Sequence, residues 1–273
     1  MRRACKGSVV VGIGLLAVVY GQQVAREGVI LSETGPRPLA KAAEALEGRY
    51  GIPVSYEDPA YVYDGDIVDF TDPAYKISHP GIRALGVKSG SVVLRGNLSA
   101  SVRSPADAIS LFQSLLDDHV RAGNPGEFAL VQSGDGVVIV PTKVRDANGI
   151  LSPDQSPLEV RISFPEQERT ANEAMDAICG AILANSGKKV VLGMDPFGGI
   201  RSTDPRGARA TYYVTIGATN EPARSVLQRT LAGLQWANPS IKSPILKMAW
   251  RLLYDPGERA YALNVHQLPR VVR

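Results

Sequence analysis

The sequence predicts an α+β protein made of two similar halves, with mixed and mostly antiparallel sheets. Three observations predict this fold class. Four segments have apolar residues at helical spacing, and strand-like apolar runs flank each of them. Two pairs of such runs are joined by turn residues, which predicts β-hairpins and therefore antiparallel pairing. Each half also follows one order, which is strand, helix and strand, then strand, helix and hairpin.

In the first half, we predict helices near residues 37–49 and 105–122. Pro38 suits the first turn of the earlier helix, and Gly51 suits its end. Ser104 provides a capping hydroxyl for the later helix. The strand-like runs of this half are residues 29–31, 52–56, 92–102, 128–132 and 137–140, of which the last two form the predicted hairpin.

The same order restarts after the polar, proline-bearing stretch 146–157. Thr170 and Glu173 have the spacing of a capping box and open a third helix, and a fourth helix follows Pro222. The strand-like runs of this half are residues 160–164, 189–192, 212–216, 248–254 and 260–265, of which the last two form the second hairpin. We therefore assign residues 22–148 and 158–273 to two α+β domains of similar plan.

Residues 1–21 have the three parts of a secretory signal peptide. Arg2, Arg3 and Lys6 form a positive start, and an apolar run follows up to Tyr20. A membrane-spanning helix needs roughly 20 apolar residues, so a permanent anchor is the weaker interpretation. We predict that the protein is exported, with membrane contact only through this segment if it is not cleaved.

The charge balance argues against a nucleic-acid partner. The chain has 30 Lys and Arg against 27 Asp and Glu. Three of the cations lie in residues 1–21, which leaves 27 of each sign in the remainder. A nucleic-acid-binding protein carries a basic face, and no run of Lys or Arg predicts one here.

The two cysteines predict no disulfide in the processed chain. Cys5 lies in the predicted signal peptide, which leaves Cys179 alone. The neighbours of Cys179 in the third helix, Met175 and Ile182, indicate a buried helical thiol. A nucleophilic cysteine that folding brings next to a histidine is the alternative.

Two adjacent segments, Arg37 to Leu46 and Tyr50 to Tyr56, carry a resemblance to a known family. They resemble the opening of the short N-terminal (STN) domain of secretins and TonB-dependent receptors, in which an amphipathic helix ends at a glycine before a short apolar strand. The resemblance extends loosely over residues 29–142. It implies a periplasmic fold that binds another envelope protein or envelope component, and it brings no catalytic residue with it.

The chain departs from this family in two ways. The stretch 58–90 is longer than the compact family module would hold. The remaining sequence also has no room for an outer-membrane barrel or a secretin pore. We therefore expect an exported interaction module, periplasmic or secreted, and the resemblance does not imply a transporter or a secretion channel.

The long stretch 58–90 contains the candidate site residues, because it concentrates tyrosines and aspartates. Exposed tyrosines are frequent at protein interfaces, so we expect a partner-binding loop there. Alternating carboxylates can also bind Ca²⁺, but this stretch lacks the glycine and closing glutamate of an EF-hand loop. A solvated, turn-rich loop is the third interpretation. The predicted contact residues are Tyr61, Tyr63, Asp64, Asp66 and Asp69.

The sequence contains no recognisable catalytic motif, and we predict a non-enzymatic protein. His79, His119 and His266 are scattered without metal-ligand spacing, so we expect no metal and no cofactor. No serine occupies a nucleophile elbow. A secreted hydrolase that uses Asp64 or Asp66 as acid and base is the alternative function.

Overall fold

The structure is a computed structural model that describes residues 28–96, 105–193, 212–236 and 247–268. The predicted signal peptide and the predicted cap Ser104 lie outside these ranges. The α+β class is confirmed. The first part of the chain contains β1 (Gly28–Gly35), α1 (Pro38–Tyr50), β2 (Val54–Glu57), β3 (Ile67–Asp69), α2 (Pro73–Ser78), β4 (Leu85–Val87), β5 (Gly90–Gly96), α3 (Pro105–Arg121), β6 (Glu127–Ser133) and β7 (Gly136–Arg145).

The second part of the chain repeats the element order of the first. A short strand, β8 (Leu151–Pro153), and one 3₁₀ turn connect the two parts. The second part contains β9 (Arg161–Thr170), α4 (Ala171–Ser186), β10 (Val190–Leu192), β11 (Tyr212–Pro222), α5 (Ala223–Gly233), β12 (Gln235–Trp236), β13 (Met248–Asp255) and β14 (Ala260–Gln267). The predicted sequence of strand, helix, strand, then strand, helix, hairpin is thus confirmed in both halves.

Local chemistry explains where the helices begin and end. Thr170 and Glu173 form the predicted capping box at the start of α4, with the Thr170 amide donating to the Glu173 carboxylate at 2.8 Å. Gly187, at φ 69°, ends the helix in the left-handed conformation that glycine adopts without strain. α1 begins at Pro38, which needs no hydrogen-bond partner for its nitrogen, and ends before Gly51.

Strand pairing is the same in the two halves. β1 pairs antiparallel with β5, and β9 pairs antiparallel with β11. β2 runs parallel to β7, as β10 runs parallel to β14. The hairpin β6–β7 corresponds in turn to the hairpin β13–β14. The two halves are therefore built on one topology, and not only on one order of elements.

A single mixed sheet contains strands from both halves, in the order β10-β14-β13-β2-β7-β6. The halves meet where β13 runs parallel to β2. Because β6, the counterpart of β13, runs antiparallel to β7 and hence to β2, the strands of one half are reversed relative to the other. A half-turn about an axis that crosses the strands, together with a shift of three strands along that axis, relates the halves. The half-turn also exchanges the two faces of the sheet.

The exchange of faces places one core on each side of the shared sheet. On β7, Ile139 belongs to the first core, together with side chains of α1 and α3. Its neighbours Val138 and Val140 belong to the second core, together with side chains of α4 and α5. This alternation follows from the two-residue period of a strand. The sheet is thus covered by helices of the first half on one face and of the second half on the other.

The stretch 58–90 contains three elements that the sequence did not predict, namely β3, α2 and β4. β3 and β4 pair antiparallel over Ile67 to Asp69, and α2 lies between them in the chain. α2 has six residues and buries none of them. A helix without a buried face leaves no hydrophobic period in the sequence, so no sequence pattern indicates it.

Candidate functional site

The five residues predicted as partner contacts occupy different environments. Tyr61 and Asp66 are buried, with 2% and 1% of their surface exposed. Tyr63 and Asp69 are half-buried, and Asp64 is exposed. The structure therefore places only part of the predicted site where a partner could contact it.

Tyr61 and Asp66 fix the base of the stretch 58–90 to the core. Tyr61 is part of the second core, and its pKa is raised well above its ordinary value by burial and then by the Asp58 charge. Arg145 Nη1 donates to Asp66 Oδ1 at 2.6 Å, and the Arg145 guanidinium lies 6.0 Å from the centre of the Tyr63 ring. The Lys88 amide donates to the Asp66 carbonyl at 2.8 Å. These residues support the fold of the stretch rather than its surface.

Asp69 organises the outer part of the stretch. Its carboxylate accepts hydrogen bonds from the Thr71 hydroxyl and amide and forms ion pairs with Lys76 at 3.0 Å and Arg83 at 3.1 Å. The pKa of Asp69 is lowered, mainly by the hydrogen bond from the Thr71 hydroxyl and further by the Thr71 amide and the two cations. The Asp72 side chain caps α2 by accepting hydrogen bonds from the backbone amides of the second and third residues of that helix. The segment is therefore ordered by polar contacts although it has no core of its own.

Residues 67–87, which we call the arm, expose an unusual amount of apolar surface. Ile77 is 84% exposed, and three other large apolar side chains of the arm are exposed to a smaller fraction. Tyr75 stacks on His79, with ring centres 4.1 Å apart. The exposed large apolar residues of the arm are Phe70, Tyr75, Ile77 and Ile82. None of these four residues was among the predicted contacts, and their apolar character in a polar loop was the signal that could have identified them.

The junction between the halves is a second polar feature, and it is buried. Glu57 of β2 is fully buried and accepts from Arg224 of α5 through both oxygens, at 2.8 and 2.7 Å. Trp250 Nε1 donates to Glu57 Oε1 at 3.2 Å, and Arg224 also forms an ion pair with Glu159. Although burial opposes its charge, the pKa of Arg224 is raised by the hydrogen bonds and charges of Glu57 and Glu159.

Two further buried carboxylates of the first half bind cations or amides of the second. Glu47 of α1 accepts from Arg251 at 2.6 Å and lies 3.0 Å from His266 Nε2. Asp58 accepts from Arg37 at 2.5 Å and from the Tyr254 amide at 2.8 Å. The junction therefore consists of paired charges and main-chain hydrogen bonds between the halves, in addition to the β2–β13 pairing.

Neither of two clefts formed by the described residues is lined by a pair of carboxylates from the stretch 58–90. Asp66 lines an open cleft of about 720 Å³ together with Lys88, Asn124 and Arg145. Within the described part of that cleft, Asp66 is the only carboxylate, and Arg145 already binds it. A second groove of about 500 Å³ lies between α5 and the β6–β7 turn, where Lys247 and Asp135 form an ion pair. In the four described ranges, no group of three His, Cys, Asp or Glu side chains is arranged to hold a metal ion.

Cys179 is buried in α4, as predicted, and we expect it to be chemically inert. Burial, and then the charge of Asp176, raises the pKa of the thiol to about 12. A disulfide reagent at about pH 8 should therefore leave Cys179 unmodified in the folded chain and label it after unfolding in urea, because the thiolate is the reactive form.

Leu183→Cys is the matched control for this labelling experiment, because Leu183 lies on the same helix and is 49% exposed. In a Cys5→Ser, Cys179→Ala background, the introduced thiol should react within the first measurement. Rapid labelling of Cys179 in the folded protein would contradict the burial that the structure shows.

Comparison with known proteins finds no matching family model, no similar curated protein and no matching solved structure. The resemblance of residues 29–142 to the STN domain therefore stays a prediction. Among the described residues, no helix is long and apolar enough to cross a membrane.

Proposed function

We propose that this protein is an exported, non-enzymatic binding module that contacts another envelope protein through the arm. The observation that carries the proposal is the exposure of Phe70, Tyr75, Ile77 and Ile82 on one short segment. Single exposed apolar residues are ordinary on protein surfaces, but several large ones in one segment are typical of an interaction site. Aromatic and large aliphatic side chains are also the usual anchors of protein interfaces.

The charges of the arm favour a protein partner over a lipid surface. Residues 67–87 contain Asp69 and Asp72 against Lys76 and Arg83, so the arm has no excess of positive charge. Both cations are also paired with Asp69. A segment that binds anionic lipid needs unpaired Lys or Arg to reach the head groups. A hydrophobic groove on another protein matches this neutral, apolar surface better.

The internal hydrogen bonds of the arm support the same proposal, because they set its shape before binding. The Phe70 amide donates to the Ala84 carbonyl at 2.8 Å, and the Ala84 amide donates to the Thr71 hydroxyl at 2.7 Å. Such bonds reduce the conformational entropy that ordering on binding would cost. The exposed side chains are thus presented from a preformed scaffold.

The alternative, a carboxylate-dependent hydrolase, has less support. Asp66 is paired with Arg145, and Asp69 is bound by Thr71, Lys76 and Arg83. Acid–base hydrolysis needs two carboxylates that face one substrate-sized cavity. We therefore base the proposed function on binding.

Site-specific photocrosslinking in the envelope of the source organism tests the proposal. A benzophenone side chain at position 77 should give a discrete covalent adduct with one protein. The same side chain at position 150 should give no adduct, because Ile150 lies outside the arm. Position 150 is a suitable control because Ile150 is 62% exposed, against 84% for Ile77. Phe70→Asp should abolish the adduct at position 77, since a charge at an apolar contact must be desolvated.

The outcomes separate the possible binding partners. Equal adducts from positions 77 and 150, or an adduct that survives Phe70→Asp, would remove the arm from consideration. Sedimentation of the purified chain with anionic vesicles, lost on Ile77→Asp, would replace the protein partner by a lipid surface. Thermal melts of the Phe70→Asp and Ile77→Asp variants should remain close to the parent, since both residues are exposed.

A further inference from the structure

The shared sheet has two outer edges, and they are the structural counterparts of the two strands that meet at its centre. One side of β6 pairs with β7, and one side of β10 pairs with β14. Within the described ranges, no strand pairs with the other side of either one. At the centre, β13 and β2 use these same sides to pair with each other. Since β6 corresponds to β13 and β10 corresponds to β2, the two edges are complementary.

The correspondence holds residue by residue. The Val137 amide donates to the Pro53 carbonyl at 2.9 Å, and the Tyr261 amide donates to the Lys189 carbonyl at the same distance. Val54 and Val190 are the next residues, and they pair with Val137 and Tyr261. The hairpins then match as well, because Leu130 faces Ile139 as Leu252 faces Leu263.

We propose that copies of this chain associate head to tail, with β6 of one copy pairing in parallel with β10 of the next. The central junction defines the register of this contact. There, Arg251 faces Tyr56 and Leu252 faces Glu57. When this register is transferred to the corresponding positions of β6 and β10, Ala129 of one copy faces Leu192 of the next copy, and Leu130 faces Gly193.

The side chains of both edges suit such a contact. Natural edge strands are commonly protected by lysine, proline or inward-pointing charge. The seven residues of β6 contain neither lysine nor proline, and their single charge is Glu127 at the first position. Val131 on β6 is 39% exposed, and Val191 on β10 is 42% exposed. Main-chain hydrogen bonds and apolar side chains would therefore hold the contact together.

The same comparison predicts that the contact between copies is weaker than the internal junction. The counterparts of Arg251 and Glu57, which form the buried ion pairs of the junction, are Ala129 and Gly193. The contact between copies thus lacks these charged groups. β10 is also only three residues long. Association should accordingly depend on protein concentration.

The geometry also predicts the form of the assembly. The contact is heterologous, since different strands of the two copies meet, and such contacts produce open chains or rings rather than symmetric dimers. One full copy adds six strands along the path of the sheet, which restores the strand direction. With strands about 4.8 Å apart, successive copies would repeat every roughly 25–30 Å along the assembly.

Disulfide trapping of the predicted register tests the proposal. The full chain carrying Cys5→Ser and Cys179→Ala, with Ala129→Cys and Leu192→Cys added, should give a ladder of dimers, trimers and higher species under mild oxidation with oxidised glutathione. Residues that face each other on neighbouring strands lie within the distance a disulfide spans. Each single cysteine should give no ladder. A chain with Ala129→Cys and Val190→Cys, two residues out of register, should give much less product.

Sedimentation velocity of the chain without introduced cysteines provides the second measurement. Its weight-average mass should rise with concentration, and Val131→Lys should raise the dissociation constant about tenfold or more, because the charge must be desolvated at the edge. Ile150→Lys, at an exposed position away from both edges, should leave the dissociation constant unchanged. A monomer at all concentrations, or dimers of Ala129→Cys alone as abundant as the ladder, would overturn the proposal.

Discussion

Replacing Arg224 by methionine should lower the free energy of unfolding by about 3 to 5 kcal/mol. The substitution removes both hydrogen bonds from Arg224 to Glu57, which is fully buried, and among the described residues it leaves the carboxylate with the indole of Trp250 as its one side-chain donor. An unpaired buried charge is among the most destabilising changes known in proteins. Urea unfolding monitored by circular dichroism measures the difference.

Arg229→Met is the matched control for this substitution. Arg229 lies on the same helix and also pairs with a glutamate, but the side chains of Arg229 and Glu221 are 48% and 37% exposed. Solvent screens such a pair, so its loss should change stability by less than about 1 kcal/mol. Equal losses from both variants would contradict a special role for the buried pair.

The double variant Arg224→Met, Glu57→Met separates the cost of an unpaired charge from the net contribution of the pair. Removing both charges should recover most of the stability, because a buried ion pair and a well-packed apolar pair often differ little. The coupling free energy from the double-mutant cycle should therefore be large and favourable. If the double variant is no more stable than Arg224→Met, packing rather than charge causes the loss.

Phe112→Ala should destabilise the protein by about 3 to 5 kcal/mol through a different mechanism. Phe112 of α3 is 1% exposed and lies in the first core beside Leu39, Tyr56 and Leu94. Its removal loses apolar contact and leaves a cavity that the surrounding strands cannot fill. The shift in the midpoint of urea unfolding, at unchanged slope, gives the size of the effect.

Val120→Ala on the same helix is the control for the core substitution. Val120 is 54% exposed, so its truncation should change stability by no more than about 0.5 kcal/mol.

Because the two cores share one sheet, Phe112→Ala and Arg224→Met should each shift one common transition. A calorimetric trace that separates into two peaks, only one of which moves, would contradict this coupling of the halves.

The sequence was sufficient for the parts of the fold that have a local cause. The capping box of α4 and the turn between β6 and β7 are properties of a few consecutive residues, and both were predicted at their observed places. The order of elements in each half followed from hydrophobic period in the same way. The secondary structure of the arm was not predicted, because α2 has no buried residue and therefore no hydrophobic period.

The buried residues of the candidate site had no comparable local signal. Tyr61 lies in a polar, proline-bearing stretch, which is typical of a surface loop, yet it packs into the second core. The partners of the buried carboxylates are equally remote, since Glu57 and Arg224 are 167 residues apart in the chain. Sequence patterns arise from neighbours along the chain, whereas these contacts depend on the pairing of β2 with β13.

The central position of the last hairpin has a consequence for the order of folding. β2 can pair on its β13 side only after residues 248–255 have been synthesised, because its partners there are Arg251 and Leu252. Contacts of such separation are slow to form, since loop closure precedes any gain in contact energy. The N-terminal half therefore keeps an unpaired strand, exposed to chaperones and to other chains, until β13 has been synthesised.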